Sequence, residues 1–533
     1  MTGGVPEARN VAEYLEVSAA RVPGNVAILD VDDEVVTYSE LDSGAEQLAA
    51  FLAYRGVQPG DRVAVLLPKS ATAVISIFGI LKARATYVPC DWQAPPERLC
   101  AILMGCRIRT VIAEARLAPV LQECAPFLEN VILVGANDGR TPAGVRWSDA
   151  LDHRLPIVPR AGRDRHDMAA IFCTSGSTGV PKAVMVSQAN LLTYVDWCSS
   201  VLLPTEEDRF SSHTPFHFAF SLLDFYVSLK HGASLHLIDQ ETGRNPKRLG
   251  DFIARQRLTV WCSTPSILRV LVTSGNMHQF DYSSLRVVLF SGEVFPVSQL
   301  RQLMKLWKEP TYYNLWGSTE TQGSIYAVLP SPIPEERTEP LPIGRPGWHC
   351  QAAVLNEGGE PVLPGEEGGL HIAGGAVFQG YWNRPEENRA AFRDRDGTRW
   401  YSTGDVVRED PEQGLIYVGR RDRLVKRHGY RIELDDIQCA LYRHEGILEA
   451  AVVAASAGDG VDVKIAAYLV AKTDPVPGVL EMKMFCARCL PAYLSPDVFV
   501  FVADLPRTST NKVDYQTLVH RLHKNITAKV GVT

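Results

Sequence analysis

Apolar and polar residues change period along the chain, and the changes mark its elements. Positions 40–54 repeat apolar residues at three- and four-residue spacing, which predicts a helix with Ser39 at its N-cap and Gly56 just past its end. Pro59-Gly60 predicts a turn, and the apolar run 62–67 then reads as a buried strand. A second helix is predicted over 71–83, with further strands at 110–113 and 130–134. Such alternation implies α/β layers with largely parallel sheets.

From about 344 to 418 the texture shifts to Gly, Pro and short β-rich runs at 351–355, 369–373 and 415–418, which predicts a small antiparallel subdomain. Beyond it come a helix at 435–443, strands at 450–455 and 464–470, and a helix at 480–490. The expected architecture is α/β: a large N-terminal domain (1–421) of layered α/β subdomains with a small β-rich subdomain, then a small α+β C-terminal domain (422–533).

A length of 533 residues exceeds one ordinary core. The net charge of −7 argues against a general nucleic-acid binder. One basic stretch, Arg420-Arg421-Asp422-Arg423-Leu424-Val425-Lys426-Arg427, reads as a solvated face or a nucleotide contact. Among eleven cysteines, Cys486 and Cys489 form a lone CxxC with no second pair or His cluster, so neither zinc nor redox chemistry is expected there. The expectation is reduced thiols in a cytoplasmic protein. The first residues show no signal-peptide pattern, and the longest apolar stretch, 73–81, is too short to span a bilayer.

The most informative segment is Thr174-Ser175-Gly176-Ser177-Thr178-Gly179-Val180-Pro181-Lys182, fed by a short apolar strand. Its glycines let the backbone approach a ligand closely. Its hydroxyls and N–H groups can surround phosphate oxygens, and Lys182 adds charge. Pro181 before the lysine excludes a Walker A loop.

This loop resembles the signature of the adenylate-forming superfamily: acyl-CoA synthetases, luciferases and nonribosomal peptide synthetase adenylation domains. Six more segments resemble family elements in the family's order: Thr37-Tyr38-Ser39-Glu40-Leu41, Leu81-Lys82-Ala83-Arg84-Ala85-Thr86-Tyr87-Val88-Pro89, Asn314-Leu315-Trp316-Gly317-Ser318-Thr319-Glu320, Tyr401-Ser402-Thr403-Gly404-Asp405, 419–433 and 505–514. The texture is most similar to the peptide-synthetase branch, and within it to stand-alone enzymes that load amino acids, including the β-amino-acid type.

The resemblance implies ATP and Mg²⁺ as cofactors and a role for each matching residue. The 174–182 loop would grip the β/γ-phosphates, Glu320 would hold Mg²⁺, and Thr319 would contact the α-phosphate. Trp316 would stack on adenine, within the element that also carries Asn314 and Gly317. Gly292 would pass close to the adenine, Asp405 would accept the ribose hydroxyls, and Arg420 would lie near them. Lys512 would be the catalytic lysine, bridging carboxylate and phosphate as charge moves between them. Asp422 would be the hinge on which a mobile C-terminal domain turns, and Gly429 would lie by the thiol's path.

The acyl pocket departs from the family pattern. In α-amino-acid enzymes an Asp after the motif's Phe pairs with the α-ammonium, but Ala219 stands there. An α-ammonium would lack its counter-ion, which is costly. Two readings stay open: an acid with no amino group near the carboxylate, or a β-amino acid whose ammonium meets Asp224, four residues after Phe220. Phe220, Leu223, Cys262, Leu289, Ser291, Leu315, Gly323 and Ser324 complete a mostly apolar lining, in which Gly323 and Ser324 are expected to leave room. No carrier segment is visible after Asp514, so the expected acceptor is a phosphopantetheinyl carrier protein in trans, with CoA the alternative. Neither a nucleic acid nor a membrane is an expected partner. A non-catalytic nucleotide-binding relative is the reading from another class; Lys512, Glu320, Asp405 and the complete loop argue against it.

Overall fold

The computed structural model describes residues 8–124, 126–135, 144–151, 155–158, 162–174, 181–337, 339, 341–420, 423–457, 462–472, 475–507 and 513–530. Ser175, Gly176, Ser177, Thr178 and Gly179 of the loop, the expected hinge Asp422 and the expected catalytic Lys512 lie outside the described residues.

Two large sheets build the N-terminal part. One has the strand order 380–381, 182–187, 168–174, 86–89, 62–66, 110–114, 130–134, 145–146. The other runs 345–346, 322–329, 311–318, 287–291, 260–263, 209–212, 234–237, 26–29, 35–37. Their central strands pair in parallel, as the helix–strand alternation predicts, and their edges carry antiparallel pairs such as Met168–Thr174 with Lys182–Ser187. Helices Tyr38–Tyr54, Ala71–Lys82, Gln188–Leu202 and Ser221–His231 share one core with strands of both sheets. Phe78 and Tyr226 are fully buried in it, their rings 5.9 Å apart edge-on. Truncating such a ring to Ala typically costs about 3–5 kcal/mol.

The first helix corrects its expected start. It begins at Tyr38, not after Ser39, because Thr37 caps it: the Thr37 hydroxyl accepts from Glu40 N while the Glu40 carboxylate accepts from Thr37 N. Cys100 corrects another expectation, for it is disulfide-bonded, which scattered cysteine positions gave no means to foresee. Cys486 and Cys489 are free thiols on the helix Val479–Cys489. Among the described residues, no helix is long and apolar enough to cross a membrane.

The β-rich region forms an antiparallel sheet of strands 350–355, 367–374, 398–410, 392–395 and 414–420. The C-terminal part is a three-stranded sheet covered on both faces. Ile437 and Met482 pack on one face with Ile465, while Leu505, Leu518 and Leu522 pack on the other with Ala466 and Tyr468. A hairpin, Leu424–Arg427 with Tyr430–Glu433, joins the first of these faces through Ile432.

Candidate active site

Ligands of open parallel sheets bind where the loops leave the C-terminal ends of the strands. Here the loops after Arg209–Ser212, Val260–Ser263, Val287–Ser291 and Thr311–Ser318 converge on one cleft. They bring Ala219 and Phe220, Thr264, Gly292, and Trp316, Gly317 and Thr319 to its wall. Thr174 joins them from the strand feeding the phosphate loop, and Asp405 and Arg420 from the β-rich sheet. Lys426, Gly429, Arg431 and Tyr493 close the cleft from the C-terminal part. Gly292 holds φ at +94°, a left-handed conformation that costs a side-chain-bearing residue strain.

Asp405, Glu320 and Lys182 on the nucleotide side are each engaged. Asp405, 1 % exposed, accepts the Trp316 indole N–H at 2.8 Å and pairs with Arg420. The indole that would meet adenine is thereby anchored through its nitrogen. Glu320 is fully buried; Arg431 donates to both its oxygens at 2.7 and 2.6 Å, and the Tyr381 hydroxyl donates at 2.9 Å. Burial alone would raise the Glu320 carboxyl, but the Arg431 charge and hydrogen bonds outweigh it and hold it low. Lys182 reaches Glu433 at 3.1 Å. Thus the two groups expected at the metal and the phosphates both face the 424–433 hairpin.

The hairpin is fixed by more than charge. Gly429 donates its N–H to Glu293 Oε1 at 2.5 Å, while Ser266 N donates to Glu293 Oε2 at 3.0 Å. Gly429 has φ +79°, and a Cβ there would lie 2.5 Å from Thr264 Cγ2. Tyr430 meets Phe218 edge-on at 4.9 Å and stacks on Tyr493 at 4.1 Å. Deeper in the interface, Arg98 pairs with Asp436 at 3.3 Å. Arg507 and Val513, which flank Lys512, bridge each other, and Leu505 packs on the sheet face opposite the hairpin.

The acyl side differs. Ala219, Phe220, Ser291, Leu315 and Gly323 line the cleft, whereas Leu223, Cys262, Leu289 and Ser324 are buried and do not line it. The expected room at Gly323 and Ser324 is absent. A Cβ on Gly323 would lie 2.9 Å from Tyr194 Cε2, and the Ser324 hydroxyl turns back onto Thr321 O at 2.8 Å. Asn314 also points away, donating to Pro342 O at 2.8 Å.

Asp224, in the first turn of the Ser221–His231 helix, is 1 % exposed and lies behind the cleft lining, and among the described residues neither carboxylate oxygen has a side-chain hydrogen-bond partner. Burial pushes its carboxyl up to about 8 against the opposing Lys69 ammonium. Burial in turn brings Lys69 down to about 7, opposed by Asp224 and Asp239. Burial first, then Cys198, Cys262 and Asp224 nearby, push up the hydroxyl of Tyr194, which lines the cleft.

Several cleft residues carried no assigned role in the sequence. Arg431, Lys426 and Glu433 lie within the 419–433 element, in or beside its basic run, so charge was their available signal. Tyr194, Gln322 and Tyr493 sit in no motif, and only the fold brings them to the site. Among the described residues no group of three His, Cys, Asp or Glu could hold a metal by itself. A lone buried carboxylate such as Glu320 does suit Mg²⁺, which is commonly held by one or two carboxylates together with substrate phosphates.

Comparison with known proteins identifies the family. The AMP-binding enzyme family matches residues 15–382, and the AMP-binding enzyme C-terminal domain matches 436–512. An L-proline–[L-prolyl-carrier protein] ligase of Streptomyces coelicolor is 35% identical over 92% of this chain and 92% of its own. A ligase of the same description from Pseudomonas fluorescens is 33% identical over 96% of this chain and 99% of its own. Among solved structures, the Vibrio cholerae adenylation domain AlmE, in complex with glycyl-adenosine-5'-phosphate, superposes with a TM-score of 0.82 at 24% identity, covering 98% of this chain and 99% of that one. The two matched regions and the near-complete overlap with these ligases establish that the chain belongs to the AMP-binding, adenylate-forming enzyme family.

Proposed function

We propose that this enzyme activates a β-amino acid as its acyl-adenylate and passes the acyl group to the phosphopantetheine thiol of a separate carrier protein. In the first step a carboxylate oxygen attacks the α-phosphorus of ATP, the bond to the β-phosphate breaks, and pyrophosphate leaves. In the second, the thiol loses its proton, its sulfur attacks the acyl carbon, and AMP leaves. Both reactants of the first step are anionic, so screening and alignment carry the catalysis. Lys182 and the 174–179 loop would bind the outer phosphates and Thr319 the α-phosphate. Glu320 would hold Mg²⁺, which when bound neutralises phosphate charge. Asp405 would take the ribose hydroxyls and Lys512 would bridge carboxylate and phosphate.

The described arrangement suits the second step. The 424–433 hairpin occupies Glu320 and Lys182, while Leu505 and Val513, which lie either side of Lys512 in sequence, pack across the C-terminal sheet from it. A rotation of residues 422–533 against 1–421 about Asp422 would exchange the two. A carrier as acceptor is supported by the printed names of the two ligases.

The substrate class rests on one observation: Asp224 is a buried carboxylate with no side-chain hydrogen-bond partner among the described residues, while Ala219 offers no counter-ion to an α-ammonium. An unpaired buried acid is costly, and an ammonium at that depth removes the cost. The ligases' names favour a second reading, an α-amino acid such as proline. Substrate-dependent pyrophosphate exchange with β-amino acids, α-amino acids including proline, and plain acids separates them. The β-amino acids should win by at least about tenfold in kcat/KM, the scale of one paired charge. Proline winning would replace the proposal, and preferential transfer to CoA would replace the carrier.

A further inference from the structure

Gln322 is a buried polar side chain that lines the cleft and whose amide no other group among the described residues satisfies. It is 5 % exposed, lines the cleft, and neither Oε1 nor Nε2 has a hydrogen-bond partner. Its backbone is held at φ +54°, a conformation uncommon for a residue with a side chain. The pairing of Thr311–Ser318 with Gln322–Leu329 shifts register between Trp316 and Gly317, and Gly317 lies so close to Gln322 O that no side chain fits between them. Such strain concentrates at functional sites. The next residue, Gly323, touches Tyr194 and Leu315 of the acyl pocket.

A buried amide left unpaired costs about 1–3 kcal/mol, so it persists where a ligand completes it. A carboxamide offers donors and an acceptor but no charge. It therefore suits an uncharged group that both donates and accepts: a hydroxyl or another amide. A carboxylate or ammonium would find no opposite charge in it.

We propose that Gln322 is a specificity residue, hydrogen-bonded to an uncharged polar substituent that the acid carries in addition to its amino group. The inference rests on the β-amino-acid reading and adds to it. Sites built to bond a polar group reject analogues lacking it far more strongly than apolar pockets reject a methylene.

The test is pyrophosphate exchange by the intact chain with β-aminobutanoic acid, its α-hydroxy and γ-hydroxy derivatives, and the analogue whose side chain ends in a carboxamide. One polar derivative should exceed the plain acid by at least about tenfold in kcat/KM, and which one it is distinguishes hydroxyl from amide. Gln322→Leu should erase that preference through KM for the acid and leave KM for ATP within about twofold, the margin expected when a contact to one substrate alone is removed. The proposal is overturned if wild type handles all four within twofold, or if Gln322→Leu moves only KM for ATP. It also falls, together with the β-amino-acid reading, if none of the four supports exchange. Exchange with the plain acid alone leaves that reading standing and removes only Gln322. The wild-type ratios decide even if the variant fails to fold.

Discussion

The two ends of the cleft treat buried polar groups in opposite ways. On the nucleotide side Glu320, Asp405 and Lys182 are all paired, two of them by the C-terminal hairpin. On the acyl side Asp224 and Gln322 are both buried and, among the described residues, their side chains have no hydrogen-bond partner. Under the proposed rotation of 422–533, charges paired across that interface would be exchanged for a ligand's charges. Orphaned groups within one rigid core can be satisfied only by what enters. The first end is thus suited to a step that changes partners, and the second to recognition.

The severest test of the paired end is the expected catalytic lysine. Lys512→Ala should lower pyrophosphate exchange by about 10²-fold or more, as removal of a transition-state charge does. ATP binding, read by calorimetry, should change little. An equal loss in both would make the lysine an ordinary ligand of ATP.

At the orphaned end, Asp224→Asn should cut kcat/KM for β-amino acids by about 10²-fold, the usual scale for losing a buried charge partner. Its pH dependence has a definite sign. The folded-state carboxyl is raised to about 8, so the native chain binds this proton more tightly than the unfolded chain, and stability from this group falls as pH rises from its ordinary value toward 8. Asp224→Asn should therefore raise Tm at pH 8 by a few degrees and far less near pH 3, where both states are largely protonated; a flat difference in calorimetric scans would refute the assignment. In wild type only the ionised acid receives an ammonium, so KM for the amino acid should fall about tenfold per pH unit up to about 8 and then level off.

Gly429→Ala places a Cβ 2.5 Å from Thr264 Cγ2 in a left-handed backbone. Acyl transfer to a carrier should fall about tenfold, with exchange preserved within about twofold, because the contact belongs to the hairpin's docked pose alone. Thr264→Ser in the same chain should recover part of the transfer rate. Loss of both half-reactions together would remove the link between this pose and transfer.

The smallest effect concerns Glu433→Gln. Releasing Lys182 from its hairpin partner should tighten Mg·ATP binding about three- to fivefold, since the competent population grows. No tightening would mean that the pair does not compete with phosphate.

Much of the scaffold was legible because its signals are local. The apolar run at 62–66 and the β-rich texture beyond 344 formed as expected. The start of the first helix was misread because Ser39 and Thr37 are both capable caps, and only the bond to Glu40 N decides between them. The pocket's supposed room at Gly323 was misread because a glycine vacates only its own volume, and Tyr194, from another sheet's flanking helix, fills the space.

The sequence alone determined the class of chemistry, because a hydroxyl-rich glycine loop and its ordered companion segments are contiguous stretches whose spacing survives in one dimension. Only the tertiary structure decided that Glu320 meets Arg431, that Lys182 meets Glu433, and that the side chains of Asp224 and Gln322 are left without a hydrogen-bond partner among the described residues. Pairing and burial depend on which distant strands end at the same place, and no local pattern records that.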